Sequence, residues 1–335
     1  MKVSYLICLC IISLLLPRVL TAQTITLVNQ SATSSLRGLS VVDNNIAWVS
    51  GSKGTVGVTI DAGKTWNWPV VKGFEKADFR DIEAFSDKEA VIVSSGTPAL
   101  ILKTIDGGIN WKLCYQNNDK AYFLDALEFN GTKHGAVLGD PINNKFLILE
   151  TFDAGDTWAL AKTQPLALPD EAAFAASGTC FRRTKNTFSL VTGGSNARLV
   201  TLDKNVKNNP VAVNIPILHG KGSQGAFSIA YGNKKTIIVG GDYSKDNRID
   251  SVATYSINSK PALAIQQPAG FQSCVEYLND DIFIATGTPG SNITSDGGKT
   301  WRKIDVTSYN VCRKAKRGNL ILFAGDRGRI GIFKL

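Results

Sequence analysis

The sequence predicts an all-β fold, a seven-bladed β-propeller whose ring is closed by an N-terminal strand completing the last blade. Three observations predict it. One turn motif recurs at near-constant spacing, four short strand-like segments surround each copy, and the last blade lacks a strand that the start of the chain can supply.

The motif occurs as Thr59-Ile-Asp61-Ala-Gly63-Lys-Thr-Trp66, Thr104-Ile-Asp106-Gly-Gly108-Ile-Asn-Trp111, Thr151-Phe-Asp153-Ala-Gly155-Asp-Thr-Trp158 and Thr294-Ser-Asp296-Gly-Gly298-Lys-Thr-Trp301. Each reads Ser/Thr-x-Asp-x-Gly-x-x-Trp. The aspartates lie 45, 47 and 143 residues apart. The last interval is close to three times the second, so two copies have decayed between Asp153 and Asp296; Thr201-Leu-Asp203 and Thr254-Tyr-Ser256 are the candidates. The motif's physics is local. A carboxylate accepts from backbone N–H groups of the turn that follows. The glycine supplies a backbone angle other residues avoid, and the Trp packs its ring over the turn. Asp61, Asp106, Asp153 and Asp296 are therefore expected to be structural.

In blade 1 the strands are expected at residues 36–42, 46–50, 55–60 and 65–68, and in blade 2 at 79–85, 90–94, 99–104 and 110–115. Blade 3 has 123–129, 135–138, 146–151 and 157–161. Blade 4 runs over 174–216 with a long first strand ending near Arg183, blade 5 over 226–267, and blade 6 over 272–305. Blade 7 has only 310–315, 320–324 and 329–333 before the chain stops. Residues 24–28 are left to supply its fourth strand, which would cover edges otherwise open to pairing.

Residues 1–22 read as a secretory signal peptide: Lys2, an apolar run from Leu6 to Leu16, Pro17, and cleavage after Ala22. The expected organisation is signal peptide 1–22 and a single propeller over 23–335, secreted or periplasmic. The run is too short to anchor the chain, and no later stretch is apolar enough to span a bilayer. The chain has 335 residues with 37 basic and 28 acidic, net +9; without Lys2 and Arg18 the excess is +7. Basic residues cluster at Arg313, Lys314, Lys316 and Arg317. An exported chain without aromatic-basic interleaving is not expected to bind nucleic acid, and a monomer is expected. Cys8 and Cys10 fall in the leader, leaving Cys114, Cys180, Cys274 and Cys312. Their wide spacing points to no metal site, and no cofactor is expected. Cys274 and Cys312, in first strands of neighbouring blades, are either buried thiols or a disulfide.

Propeller topology sorts the loops. Repeat turns share one face with the loops joining first and second strands. The other face, where propellers usually bind, carries Gly139-Asp140, Gly241-Asp242 and Gly325-Asp326 after second strands, with Arg37, Arg80, Asp81 and Asp125 where first strands begin. Glu171, His219 and Lys221 lie in its long loops, and Glu276, Tyr277, Arg313 and Lys314 follow the cysteines. This set is expected to form a polar site at the channel mouth for a protein partner or a polar or glycan ligand.

The turn resembles the Asp-box of the bacterial neuraminidase repeat, a fold marker shared by sialidases, xyloglucan-type glycosidases, sortilin-type receptors and the photosystem II stability/assembly factor family. Leu36-Arg-Gly-Leu-Ser-Val-Val, Ala47-Trp-Val-Ser-Gly-Ser-Lys-Gly-Thr-Val-Gly, Phe79-Arg-Asp-Ile-Glu-Ala-Phe and Gly325-Asp-Arg-Gly-Arg-Ile-Gly are similar to the assembly-factor family, in its secreted bacterial branch. The resemblance covers the mature chain and implies a non-catalytic scaffold that binds a protein during assembly. The alternative is a glycoside hydrolase of sialidase or xyloglucanase type, with Arg37, Arg80 and Arg313 as cations, Tyr277 and Glu276 as nucleophile and base, and Asp81 as acid. Two features oppose it. The Phe/Tyr-Arg-Ile-Pro run of sialidases is replaced by Leu36-Arg37-Gly38-Leu39, and there is one propeller where xyloglucan-type enzymes use two. No Gly-x-Gly-x-x-Gly opens a strand–helix unit and there is no helix-rich half to host one, so the sequence lends no support to a dinucleotide oxidoreductase.

Overall fold

The computed structural model describes residues 23–29, 33–69, 71–203, 209–257 and 260–335. The expected leader lies outside these residues, and so does the turn after Asp203. Among the described residues, no helix is long and apolar enough to cross a membrane.

Seven antiparallel sheets follow one another along the chain, and each has its first strand innermost. The inner strands are Leu36–Val41, Asp78–Ala84, Leu124–Asn130, Phe181–Arg183, Lys221–Tyr231, Cys274–Asn279 and Val311–Lys314. Each contacts the inner strand of the next blade, and the last contacts the first, so the ring is closed. Middle strands are covered on both faces by neighbouring blades. Ala90–Ser95 and Ala99–Thr104 are buried along their whole length, and each opens with four consecutive apolar residues rather than alternating ones. Outer strands such as Lys112–Asn117 are largely exposed and polar.

Blades lock together through aromatic side chains. Trp48 of blade 1 is fully buried and donates its indole N–H to Ser86 O of blade 2 at 2.8 Å. Phe129 packs edge-on against Phe85 of blade 2 at 5.0 Å and against Trp158 of its own blade at 6.0 Å.

The N-terminal strand closes blade 7 as the sequence predicts. Ile25–Asn29 pairs antiparallel with Ile330–Phe333, with Ile25 opposite Phe333 and Leu27 opposite Gly331. The sheet order is this strand, then Ile330–Phe333, Ile321–Ala324 and Val311–Lys314. The first and last strands of the described residues are thereby held in one sheet.

Two blades depart from expectation. In blade 1 the fourth strand shrinks to a bridge between Asn67 and Val58. Pro69 follows Trp68, and the Trp68 ring occupies the space beside Gly57, where a Cβ would meet it at 2.6 Å. In blade 4 only Phe181–Arg183 is strand; the expected long strand from residue 174 leaves the sheet. Just before it, Glu171–Ala172 pairs with Gly193–Gly194, which in turn pairs with the inner strand of blade 5. Gly193 and Gly225 make that join possible, since a Cβ on Gly225 would lie 2.3 Å from the Gly193 Cα.

Candidate functional site

The repeat turns define one face of the ring. In each, the Thr hydroxyl donates to the Asp carboxylate and accepts from the Gly N–H; Asp61 also accepts from Thr65 N at 2.9 Å and Thr65 Oγ1 at 2.6 Å. The same pattern holds Asp106, Asp153 and Asp296. These bonds keep the Asp61 and Asp153 carboxyls low, at about 2, the Thr65 and Thr157 hydroxyls being the largest cause. Every turn is tied to the first loop of its own blade: Ala62 N to Asn45 O, Gly107 N to Lys88 O, Ala154 N to Lys133 O and Gly297 N to Asp281 O, at 2.9–3.0 Å. Repeat turns and first loops therefore share one face.

The mouth on the opposite face is closed by the chain itself. The segment from Ala173 to Thr179 crosses it instead of joining blade 4. Arg37 Nη1 donates to Ala176 O at 3.5 Å and Arg80 Nη1 to Ala175 O at 3.4 Å. Ser177 Oγ reaches Ser273 O of blade 6 at 2.8 Å, and Thr179 Oγ1 reaches Ser228 Oγ of blade 5 at 2.6 Å. The base of this plug is a buried ion pair, with Glu171 accepting from Arg198 Nε at 2.7 Å and Nη2 at 2.5 Å.

Of the residues predicted to form a site there, Arg37, Arg80 and Asp140 hydrogen-bond to this segment, and the rest are buried or held within their own loops. Asp81 is buried and accepts from Leu127 N at 2.7 Å and Ile82 N at 2.8 Å, tying blade 2 to blade 3. Asp125 is 1% exposed and neither carboxylate oxygen has a hydrogen-bond partner; burial pushes its pKa well up. Asp140 accepts from Ala173 N at 3.3 Å, and burial raises it to about 6. Asp242 is held by Gln224 and Ser244, and Asp326 by Ser35 and Asn310. The three Gly-Asp aspartates thus act as loop staples.

The other four predicted residues sit at the opposite end. Because each inner strand runs from one face to the other, Glu276, Tyr277, Arg313 and Lys314, late in their strands, open onto the repeat-turn side. There they line a cavity of about 670 Å³ at the channel mouth. Its wall holds three carboxylates, Glu83, Glu128 and Glu276, and seven Lys or Arg side chains. Arg182 Nη1 lies 3.5 Å from Glu276 Oε2, and Arg313 Nη1 lies 3.7 Å from the same oxygen. None of these three buried atoms makes a hydrogen bond. Glu128 lies 3.8 Å from Arg182 Nε and 3.6 Å from Arg183 Nε. Only Lys316 pairs tightly, to Glu83 at 2.6 Å. Burial pushes Glu128 and Glu276 up to about 7 against the pull of Arg182. Lys314 donates to Leu278 O, and the Tyr277 ring packs on Phe283 at 5.1 Å.

The ten predicted residues therefore do not form one site. Sequence reasoning missed Glu83, Glu128 and Arg182. The available signal was the recurrence of a charged residue within the inner strands, which Glu83, Glu128, Arg182, Glu276 and Arg313 supply in five blades. The hydrolase set is likewise split, with Arg37, Arg80 and Asp81 under the plug and Tyr277, Glu276 and Arg313 at the far mouth.

Cys274 and Cys312 are neighbours but thiols, so the alternative of a disulfide is not what this structure holds. Their sulfurs are 3.8 Å apart, and Cys274 Sγ accepts from Cys312 N at 3.4 Å. Cys114 and Cys180 are also free. Among the described residues no group of three or more His, Cys, Asp or Glu could hold a metal ion.

Residues 19–119 match the family described as photosynthesis system II assembly factor YCF48. No curated protein matches the chain in sequence. A solved YCF48 bound to a D1 peptide is similar at 15% identity and TM-score 0.69, covering 94% of this chain and 97% of that one. YCF48 from Cyanidioschyzon merolae is similar at 15% and 0.63, covering 92% and 98%. A GH74 xyloglucanase from Xanthomonas campestris is similar at 14% and 0.61, covering 92% of this chain but 53% of that one, so the chain spans about half of the enzyme. The chain is a seven-bladed β-propeller that shares its fold with the solved YCF48 structures around the ring and is similar in sequence to the photosystem II assembly factor family over residues 19–119.

Proposed function

We propose that the ring is a non-catalytic binding module, working as a monomer outside the cytoplasmic membrane after cleavage near Ala22, and that it holds an acidic segment of a protein partner in the mouth on the repeat-turn side. The observation that carries this reading is the charge of that mouth: seven cations face three carboxylates, and two buried guanidinium nitrogens lack a hydrogen-bond partner. Guanidinium groups held in a partly dry wall favour carboxylates. The opposite mouth offers less, because the plug from Ala173 to Thr179 fills it. A protein partner is also supported by the similar YCF48 that binds a D1 peptide. A hydrolase needs its cations, nucleophile and acid on one side of one substrate, and here they are divided between the channel's two ends.

The test is site-specific photo-crosslinking in the envelope of the producing cell. A photoreactive residue at Lys185, in the cavity wall, should give a discrete protein adduct that is lost when Arg182 and Arg313 are both changed to Gln. A probe at Tyr243, exposed on the other face, should give none. The same adduct from Tyr243 alone would reverse the assignment of faces.

A further inference from the structure

At the repeat-turn mouth one carboxylate oxygen faces two guanidinium groups and hydrogen-bonds to neither. Glu276 Oε2 stands 3.5 Å from Arg182 Nη1 and 3.7 Å from Arg313 Nη1, and all three atoms are buried. Glu128 holds Arg182 and Arg183 at similar, non-bonded distances of 3.8 and 3.6 Å. Such spacing is poor for a buried ion pair, whose desolvation is repaid only by close, hydrogen-bonded contact. It suits a set of cations loosely neutralised by the protein's own acids, beside a cavity of about 670 Å³ that has room for another anion.

We propose that Glu276 and Glu128 are internal stand-ins for a partner's carboxylate: while ionised they occupy Arg182 and Arg313, and on taking up a proton they release both guanidinium groups to an incoming peptide carboxylate. This deepens the reading of the mouth given above and rests on it. No bond is made or broken; one proton moves from solvent to each carboxylate.

The surroundings make the exchange accessible near neutral pH. Glu276 is faced by Arg182 from blade 4, by Arg313 and Lys314 from blade 7, and by Glu128 from blade 3. The thiols of Cys274 and Cys312 lie deeper in the channel. Glu128 is faced by Arg182 and Arg183, by Glu83 of blade 2 and by Lys316 of blade 7; blade 5 contributes Tyr231 beside Arg182. Burial outweighs the cations and sets both carboxyls at about 7. The carboxylates of a bound peptide, with ordinary values near 4, stay ionised through that range. The gate therefore titrates while the ligand does not.

The experiment measures binding of a fluorescent ten-residue peptide that has two glutamates and a free C-terminal carboxylate. An amidated twin and a glutamine-substituted twin show which carboxylate is bound. For each carboxyl titrating at about 7 the protonated fraction rises about tenfold from pH 8 to pH 6, so with two such groups affinity should rise at least about tenfold. Glu276→Gln with Glu128→Gln should bind at pH 8 as tightly as the native chain does at pH 6, with a flat profile, while Glu276→Gln alone should bind more tightly than the native chain at pH 8 and keep only the rise that Glu128 supplies. Native affinity equal at both pH values, or a profile that Glu276→Gln leaves unchanged, overturns the gate while leaving the mouth as the binding site. Absence of binding at either pH by the folded chain overturns the mouth itself. Carbon-13 carboxyl titration of the free protein provides a second readout: Glu128 and Glu276 titrating near 4.5 would overturn the gate whatever the peptide does.

Discussion

Gly178 lies so close over the Asp81 carboxyl that a Cβ on it would sit 2.2 Å from the carboxylate atoms, and its backbone is left-handed at φ +69°. The plug can pass over the inner strand of blade 2 only because this residue has no side chain. Gly178→Ala should destabilise the fold by about 2 kcal/mol or more, through clash and backbone strain together. Urea unfolding followed by tryptophan fluorescence measures it. A loss below about 0.5 kcal/mol would mean the plug moves aside freely.

Glu171 anchors the same plug. Its side chain is fully buried and doubly hydrogen-bonded to Arg198, unlike the loose pairs at the other mouth. Removing one member of a buried pair leaves the other charge unpaired, so Glu171→Ala should cost about 3–5 kcal/mol. Equilibrium unfolding checks this value, and the double change with Arg198→Met should recover part of the loss.

Ring closure by Ile25–Asn29 makes a separate prediction. Ile25 is buried against the last blade, and Ile25→Ala should cost about 2 kcal/mol. Truncating the chain through Asn29 should cost more and leave Ile330–Phe333 as an open edge. Size-exclusion chromatography should then show self-association; a truncated chain as monomeric and stable as the native one would contradict the closure.

Much of this was legible in the sequence because it is periodic. The Thr-x-Asp-x-Gly turns set the blade spacing, and the missing fourth strand of blade 7 pointed to the start of the chain. Blade 4 misled for a physical reason. The run from residue 174 to Arg183 reads as one long strand, but the segment before Phe181 is tied elsewhere, where Glu171–Ala172 pairs with Gly193–Gly194 and Gly193 approaches Gly225, contacts between residues far apart in sequence. The site was half legible because an inner strand crosses the whole ring. Asp81 and Glu83 are two residues apart, roughly 7 Å along a strand. One braces the plug while the other lines the open mouth. Residue type named the charges, but only the register of each strand against its neighbour assigns them to an end.

Stability should depend on pH with a maximum near pH 5. Glu128 and Glu276 titrate at about 7 and Asp140 at about 6 in the folded chain, above their unfolded values. Between about pH 4.5 and 7 the native state therefore binds more protons than the unfolded one, and stability rises as pH falls from 8 towards 5. Asp61 and Asp153 act in the opposite sense. Held at about 2, they contribute stability above their unfolded values near 4, and lose it as pH drops through that range. Melting temperatures from pH 3 to 9 test the sum; a maximum at pH 8 would contradict the assigned carboxyls.

Binding of the partner at the mouth on the repeat-turn side depends on Arg182 and Arg313. The most direct measurement compares the affinity of the acidic ten-residue peptide for two folded double variants at pH 6. Arg182→Gln with Arg313→Gln strips the open mouth. Lys221→Ala with Tyr243→Ala alters exposed residues of the opposite face. Binding should weaken at least about tenfold for the first pair, which is about 1.4 kcal/mol, and stay unchanged for the second. Undiminished binding by the first pair, with loss in the second, would contradict it.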